Sequence, residues 1–316
     1  NDEFTWEIAD YTWSPDSKWI AYSFVQANRN SRIFLFNIET GKKIPVTGDF
    51  YDNLYPSFDA DGRYLYYVSS RNFDLLMDFY EDNHVIATPQ QVMAVQLRDG
   101  EKPPFASGGG VPEDKKAEPT PFRIDTEGLA KRTFPLPVPA GNYFTLKAGK
   151  GRVLWVSVDA FTEAEYEEIF KPRQEATKWT LHIFDMADRK EVTLNDKVRN
   201  FFLSANGEQL LVRRDADLYT TTVEKAFASK ASGEKLNLSG LVYTVDLQKE
   251  WNQIFNDAWR WYRDFFYDAG FHGRDWKAMG DKYRAYIPFL SSRSELNWVL
   301  SQMVGELCVS HTYVGG

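Results

Sequence analysis

Tyr11-Thr12-Trp13, Ser14-Pro15-Asp16-Ser17-Lys18, Trp19-Ile20-Ala21-Tyr22-Ser23-Phe24: this stretch reads as strand, tight turn, strand. Aromatic and β-branched residues suit the strands, while Pro, Asp and Ser supply the turn. The chain goes on through Ile33-Phe34-Leu35-Phe36-Asn37-Ile38, a turn at Glu39-Thr40-Gly41, and a closing Ile44-Pro45-Val46-Thr47. Four antiparallel strands joined by short turns make one blade of a β-propeller, a unit that recurs at roughly 40–50 residues.

The unit does recur. Tyr55-Pro56-Ser57-Phe58, a turn at Asp59-Ala60-Asp61-Gly62, Tyr64-Leu65-Tyr66-Tyr67-Val68 and Gln91-Val92-Met93-Ala94-Val95-Gln96-Leu97 start a second copy. A third runs through Tyr143–Leu146, Val153–Val158 and Trp179–Phe184, and a fourth through Asn200–Leu203, Gln209–Val212 and Asp217–Thr222. Two insertions interrupt the series. One, near 74–89, is expected to be partly helical. The other, 101–128, holds five prolines and Gly108-Gly109-Gly110 and is expected to be a surface loop or linker. A β-sandwich would also use short regular strands, but the same strand–turn–strand unit appearing four times favours the propeller. Four blades are fewer than a closed ring of six or seven, so part of the ring is expected upstream.

The period changes after Leu241-Val242-Tyr243-Thr244-Val245. Trp251, Ile254, Phe255, Ala258, Trp259, Tyr262, Phe265 and Phe266 fall at three- and four-residue steps, the stripe of an amphipathic helix. Asp275 is placed to cap a second helix that stops before Pro288. Ser292 and Glu295 form a capping box for a third, carrying Leu296, Val299, Leu300, Met303 and Leu307 inward. The predicted fold is thus a multidomain β + α chain: a partial β-propeller of about four blades over 1–245, then a small helical bundle over 246–316.

With 316 residues, 43% hydrophobic and 16% aromatic, the chain has material for two cores. Lys and Arg number 37 against 45 Asp and Glu, a net charge of −8, which excludes the basic footprint of sequence-independent nucleic-acid binding. No apolar run approaches the ~20 residues that span a bilayer, so no membrane insertion is expected. Asn1-Asp2-Glu3-Phe4 does not read as a signal peptide. Cys308 is the single cysteine, which leaves the cytoplasm and, as the alternative, the periplasm open.

Chemistry is concentrated at the end of the chain. Glu306-Leu307-Cys308-Val309-Ser310-His311-Thr312-Tyr313-Val314 follows the third helix, and Val309–Val314 has β character. His311 stands beside Ser310 where a rigid element hands over to a strand or loop. That spacing fits either a general base or a hydrogen-bonded structural histidine. Of the other three histidines, His272 falls in an interhelical loop, His84 in an insertion and His182 on a strand, where structural roles are expected. Cys308 with His311 makes too small a ligand set for a metal, so neither metal nor cofactor is expected, and Cys308 is read as a small buried residue. Glu306 and the acidic run Glu163–Glu168 are read as solvated helical faces. Ser291, Ser292 and Ser301 are helix-cap or helix-surface residues.

Several stretches carry a resemblance to a known family. They are Leu136-Pro137-Val138-Pro139-Ala140-Gly141-Asn142-Tyr143, Asp264-Phe265-Phe266-Tyr267, His272-Gly273-Arg274-Asp275-Trp276 and Gly305-Glu306-Leu307 with Ser310-His311-Thr312-Tyr313. In them the chain resembles the tricorn proteases and their tricorn-like relatives. The resemblance implies a six-bladed and a seven-bladed propeller, a helical first catalytic domain, a PDZ domain and a second catalytic domain bearing the nucleophilic serine. It implies that His311 is the general base and that Ser310 orients it. It implies peptide substrates and a homo-oligomeric parent. The nucleophile, the acidic group and the oxyanion donors are expected downstream of Gly316, so residues 1–316 alone are expected to be an inactive fragment. The alternative is a non-enzymatic propeller that binds a protein or peptide. A propeller-fused prolyl peptidase needs a Gly-x-Ser-x-Gly elbow, which this sequence lacks.

Overall fold

The computed structural model describes residues 8, 10–77, 84–101, 105, 121–160, 178–194 and 197–315. The acidic run Glu163–Glu168 and most of the 101–128 insertion lie outside them. The chain divides into two compact units, Asn1–Leu236 and Asn237–Gly316.

The first unit contains four four-stranded antiparallel sheets. The first is β1 (Tyr11–Trp13), β2 (Trp19–Val25), β3 (Ser31–Asn37) and β4 (Lys43–Pro45). The second is β5 (Asn53–Phe58), β6 (Tyr64–Ser70), β9 (Gln90–Gln96) and β10 (Thr133–Pro135). Its fourth strand returns after the long insertion. Asp125 donates its N–H to the Leu97 carbonyl and Arg132 Nε bonds the Gln96 carbonyl at 3.1 Å, which ties that return to the end of β9. The third sheet is β11 (Asn142–Ala148), β12 (Arg152–Val158), β13 (Trp179–Asp185) and β14 (Lys190–Leu194). The fourth is β15 (Val198–Leu203), β16 (Gln209–Arg214), β17 (Asp217–Thr222) and β18 (Glu234–Lys235).

The blade repeat is visible at atomic level in the first hairpin turn. Ser14 Oγ accepts from Trp19 N at 2.9 Å, Asp59 Oδ1 from Tyr64 N at 3.1 Å, and Ser204 Oγ from Gln209 N at 2.9 Å. The same side-chain bridge across five residues thus closes blades one, two and four. A short polar side chain replaces a backbone acceptor where the strand must reverse. In the second blade the bridging carboxylate is buried, and burial pushes its pKa up to about 7 although two backbone N–H groups favour the charged form.

Packing explains why the middle strands are apolar on both parities. Leu65 and Tyr67 face the first sheet, beside Ile33, Leu35 and Ala21, whereas Tyr64, Tyr66 and Val68 face the third, beside Tyr143, Val153 and Trp155. Leu154, Val156 and Ile183 of the third sheet meet Phe201, Leu210 and Val212 of the fourth. A sheet covered on both faces needs apolar side chains at every position, unlike the half-buried alternation of a one-sided sheet. Close approach of the last two sheets has a backbone reason: a Cβ on Gly207 (φ +70°) would stand 2.9 Å from Gly149 Cα.

One sequence expectation is corrected here. The described part of the 74–89 insertion is a hairpin, β7 (Leu75–Met77) paired with β8 (His84–Ile86), where the sequence suggests a partly helical segment. Val85 and Ile86 are β-branched and cross-strand pairing satisfies the backbone. Within the last blade, α1 (Val223–Ser229) interrupts the strands; Thr222 caps it and Val223 and Ala226 bury into the core of the last two sheets. Leu241-Val242-Tyr243-Thr244-Val245 is exposed coil.

The second unit packs α2 (Leu247–Phe265), α3 (Trp276–Arg284) and α4 (Arg293–Gly305). The expected caps are present: Asp275 Oδ1 accepts from Ala278 N at 2.9 Å, and Ser292 with Glu295 closes the capping box. Trp251, Phe255, Trp276, Leu296, Val299, Met303 and Leu307 form one core. Trp259 and Trp276 lock α2 to α3 by donating each indole N–H to the other's carbonyl, both at 3.0 Å. Gly280 makes room, since a Cβ there would meet Trp259 Nε1 at 2.5 Å.

Candidate active site

Past α4 the chain makes a turn. Leu307 is fully buried and anchors it, while Cys308 (φ +53°) and His311 (φ +60°) both adopt left-handed backbone. That conformation is unfavourable for residues with a Cβ and persists where surroundings impose it. Thr312 Oγ1 donates to the Val309 carbonyl at 3.3 Å and closes the turn. The expected β character of Val309–Val314 is not realised, because the chain is bent there and pairs with no strand among the described residues.

The turn is held from the α2–α3 connection. His272 Nδ1 bonds the Leu307 carbonyl at 2.9 Å, satisfying an acceptor just past the end of α4. A carbonyl only accepts, so Nδ1 carries the proton and Nε2 is left to accept from Tyr267 Oη, its other partner. Asp268 fixes the loop by accepting from His272 N at 2.7 Å and Gly270 N at 2.9 Å, bonds that hold its carboxyl below the usual range. Phe266, Phe271 and Trp276 stack in parallel behind it, at 5.7 Å per step and 7° between planes. His272 is therefore structural, as expected, but it positions the turn that bears Ser310 and His311.

Ser310 and His311 are both solvent-exposed. Ser310 lines a groove of about 440 Å³ with Trp261, Phe265, Phe266, Tyr267 and Thr312; His311 is not one of its lining residues. The His311 ring meets the Tyr313 ring edge-to-face at 6.4 Å. Among the described residues no hydrogen bond joins Ser310 to His311, and no serine hydroxyl reaches the ring. Glu306, read as a solvated helix-face residue, is engaged elsewhere: its Oε1 accepts from Lys282 Nζ and Tyr283 Oη, each at 2.7 Å, which lowers its pKa. Cys308 was expected to be buried and is exposed; the left-handed backbone turns it out of the core, with Arg274 Nη2 4.0 Å from its sulfur. Among the described residues there is no group of metal-ligating side chains and no helix long and apolar enough to cross a membrane.

The chain matches two family models, the tricorn protease second β-propeller domain over residues 2–224 and the tricorn protease C1 domain over residues 247–305. The second ends five residues before Ser310. A putative tricorn protease homolog 2 of Streptomyces coelicolor is 29% identical over 321 residues, 97% of this chain and 27% of that protein. A putative tricorn-like protease C-terminal subunit of Sulfurisphaera tokodaii is 28% identical over 310 residues, 97% of this chain and 34% of that protein. A crystal structure of the tricorn protease aligns with a TM-score of 0.78 at 25% identity, covering 98% of this chain and 30% of that one. The chain thus spans about a third or less of the length of the relatives it matches. Repeated four-stranded blades, the capped aromatic bundle and these matches agree: the chain belongs to the tricorn protease family.

Proposed function

We propose that this chain supplies a propeller and one half of the catalytic centre of a tricorn-like peptidase that cleaves peptides by serine acyl transfer. His311 acts as general base. It takes the proton of a serine hydroxyl attacking a peptide carbonyl and returns it to the leaving amine. Ser310 orients the imidazole, and the β unit guides or gates the peptide on its way in. The nucleophile, the acidic group and the oxyanion donors come from parts of the parent protein outside these 316 residues.

One observation carries the reading: the His311 ring is exposed on a turn held by Leu307, Thr312 and His272, with neither nitrogen engaged among the described residues. A general base needs one nitrogen open to the nucleophile and the other open to an orienting partner. A ring packed into the bundle core would have opposed the assignment.

The test uses the full-length parent. His311→Ala should lower peptide turnover by about 10⁴-fold or more, with the circular dichroism spectrum unchanged. A variant as active as the parent removes His311 from the mechanism and leaves a propeller binding module. Purified residues 1–316 should release no product from the same peptide, and turnover abolished by His311→Ala in that chain would show the site to be complete without further residues.

A further inference from the structure

The third sheet holds an arrangement that the peptidase reading does not use. Ser157 Oγ lies 2.7 Å from His182 Nε2, and His182 Nδ1 lies 2.5 Å from Glu191 Oε1. The ionised carboxylate only accepts, so Nδ1 carries the ring proton and Nε2 accepts from the Ser157 hydroxyl. That is the tautomer and order of contacts of a nucleophile, its base and the group that orients the base.

Strand register builds this chain of contacts. His182 on β13 lies opposite Trp155 on β12 and Thr193 on β14, and Ser157 and Glu191 are diagonal neighbours two positions away on the same face. The indole of Trp155, fully buried, stacks on the imidazole with centroids 5.2 Å apart and planes 6° apart, and Tyr143 meets the ring edge-on at 6.0 Å. Both hold the ring's orientation. Trp155 also offers a π-face to an imidazolium, and Glu191 offers it a carboxylate. Ser157, His182 and Glu191 open onto a pocket of about 300 Å³ walled by Pro139, Ala140 and Val158. The side chains of His182 and Glu191 keep 14% and 25% of their exposure, so a small molecule can reach them. Asn142 lines the same pocket and brings a neutral side-chain amide to it.

We propose that Ser157, His182 and Glu191 form a second acyl-transfer site, on the propeller blade itself, reactive towards small carboxylic esters with good leaving groups. In the first step the Ser157 oxygen bonds the ester carbonyl carbon while its proton passes to His182 Nε2. The carbon–oxygen bond to the leaving alcohol then breaks, and the proton on Nε2 goes to that oxygen. Water, deprotonated by His182, attacks the acyl-serine, releases the carboxylic acid and restores Ser157. Esters rather than peptides are the substrates proposed, because an ester's leaving oxygen needs little help to depart. Ser157 sits in a central strand, where its backbone groups serve the ladder.

The site stands apart from the His311 reading, and its test reads a different residue. Purified residues 1–316 are treated with a fluorophosphonate, which phosphonylates serines activated by a neighbouring base with loss of fluoride, and the modified residue is mapped by peptide mass spectrometry. The expected result is one adduct on Ser157, absent in Ser157→Ala and formed at least ~10-fold more slowly in Glu191→Gln and His182→Ala. Glu191→Gln nearly conserves shape, so it isolates the tautomer effect even if removal of the ring disturbs the blade. An unmodified Ser157 in folded protein would overturn the proposal. So would an adduct that forms equally fast in both variants, since the three side chains would then only tie strands together.

Discussion

Replacing Asp59 by Asn tests the reading of the blade turn. Asp59 is 7% exposed, and its Oδ1 accepts from Arg63 N at 2.7 Å and Tyr64 N at 3.1 Å. Burial outweighs both bonds and raises the carboxyl from an ordinary 3.8 to about 7. A raised carboxyl contributes stability that is complete below the unfolded pKa and is lost as the pH climbs through the folded one. Between pH 5 and pH 8 this single group should cost the native state about 2–3 kcal/mol, by linkage over that shift. Asparagine keeps the acceptor for both backbone donors and resembles the protonated acid. The stability advantage of Asp59→Asn over the parent should therefore widen by about 2–3 kcal/mol between pH 5 and pH 8. Urea unfolding of both proteins at the two pH values, followed by tryptophan fluorescence, gives the difference directly. A gap between variant and parent that does not change with pH would refute the argument, because then the carboxyl is ionised throughout.

Gly280→Ala reverses a common expectation. In a helix interior the change normally adds up to about 1 kcal/mol of stability, but here the new Cβ would meet Trp259 Nε1 at 2.5 Å and disturb the reciprocal indole bonds. A loss of about 1–3 kcal/mol is expected in thermal or urea melts, and a gain would show that the tryptophan pair has slack. His272→Ala removes the donor to the Leu307 carbonyl, and amide exchange of residues 308–314 should rise about 5–10-fold, the worth of one hydrogen bond; unchanged protection would mean that Leu307 and Thr312 hold the turn without it.

Local chemistry made most of the blades legible. The bridges from Ser14, Asp59 and Ser204 span five residues, so turn and flanking strands are written within one short window. The helix caps Asp275 and Ser292 are equally local. By contrast, β10 is three residues long, ends in proline and pairs with β9 only after the long insertion. Nothing in its own sequence announces it. The hairpin of β7 and β8 is not legible either, because short apolar runs do not separate the helical period from the strand period.

The family was therefore written in the chain itself: turn residues and helix caps are contiguous signals that need no distant contact to be read, and the candidate pair Ser310-His311 is equally local. Three-dimensional folding alone decided which side chains meet. His272 reaches Leu307 across 35 positions, and His182 joins Ser157 across 25 and Glu191 across 9. Strand register and helix packing set those pairings, and both depend on burial of whole faces, a property of many residues at once that no single motif carries.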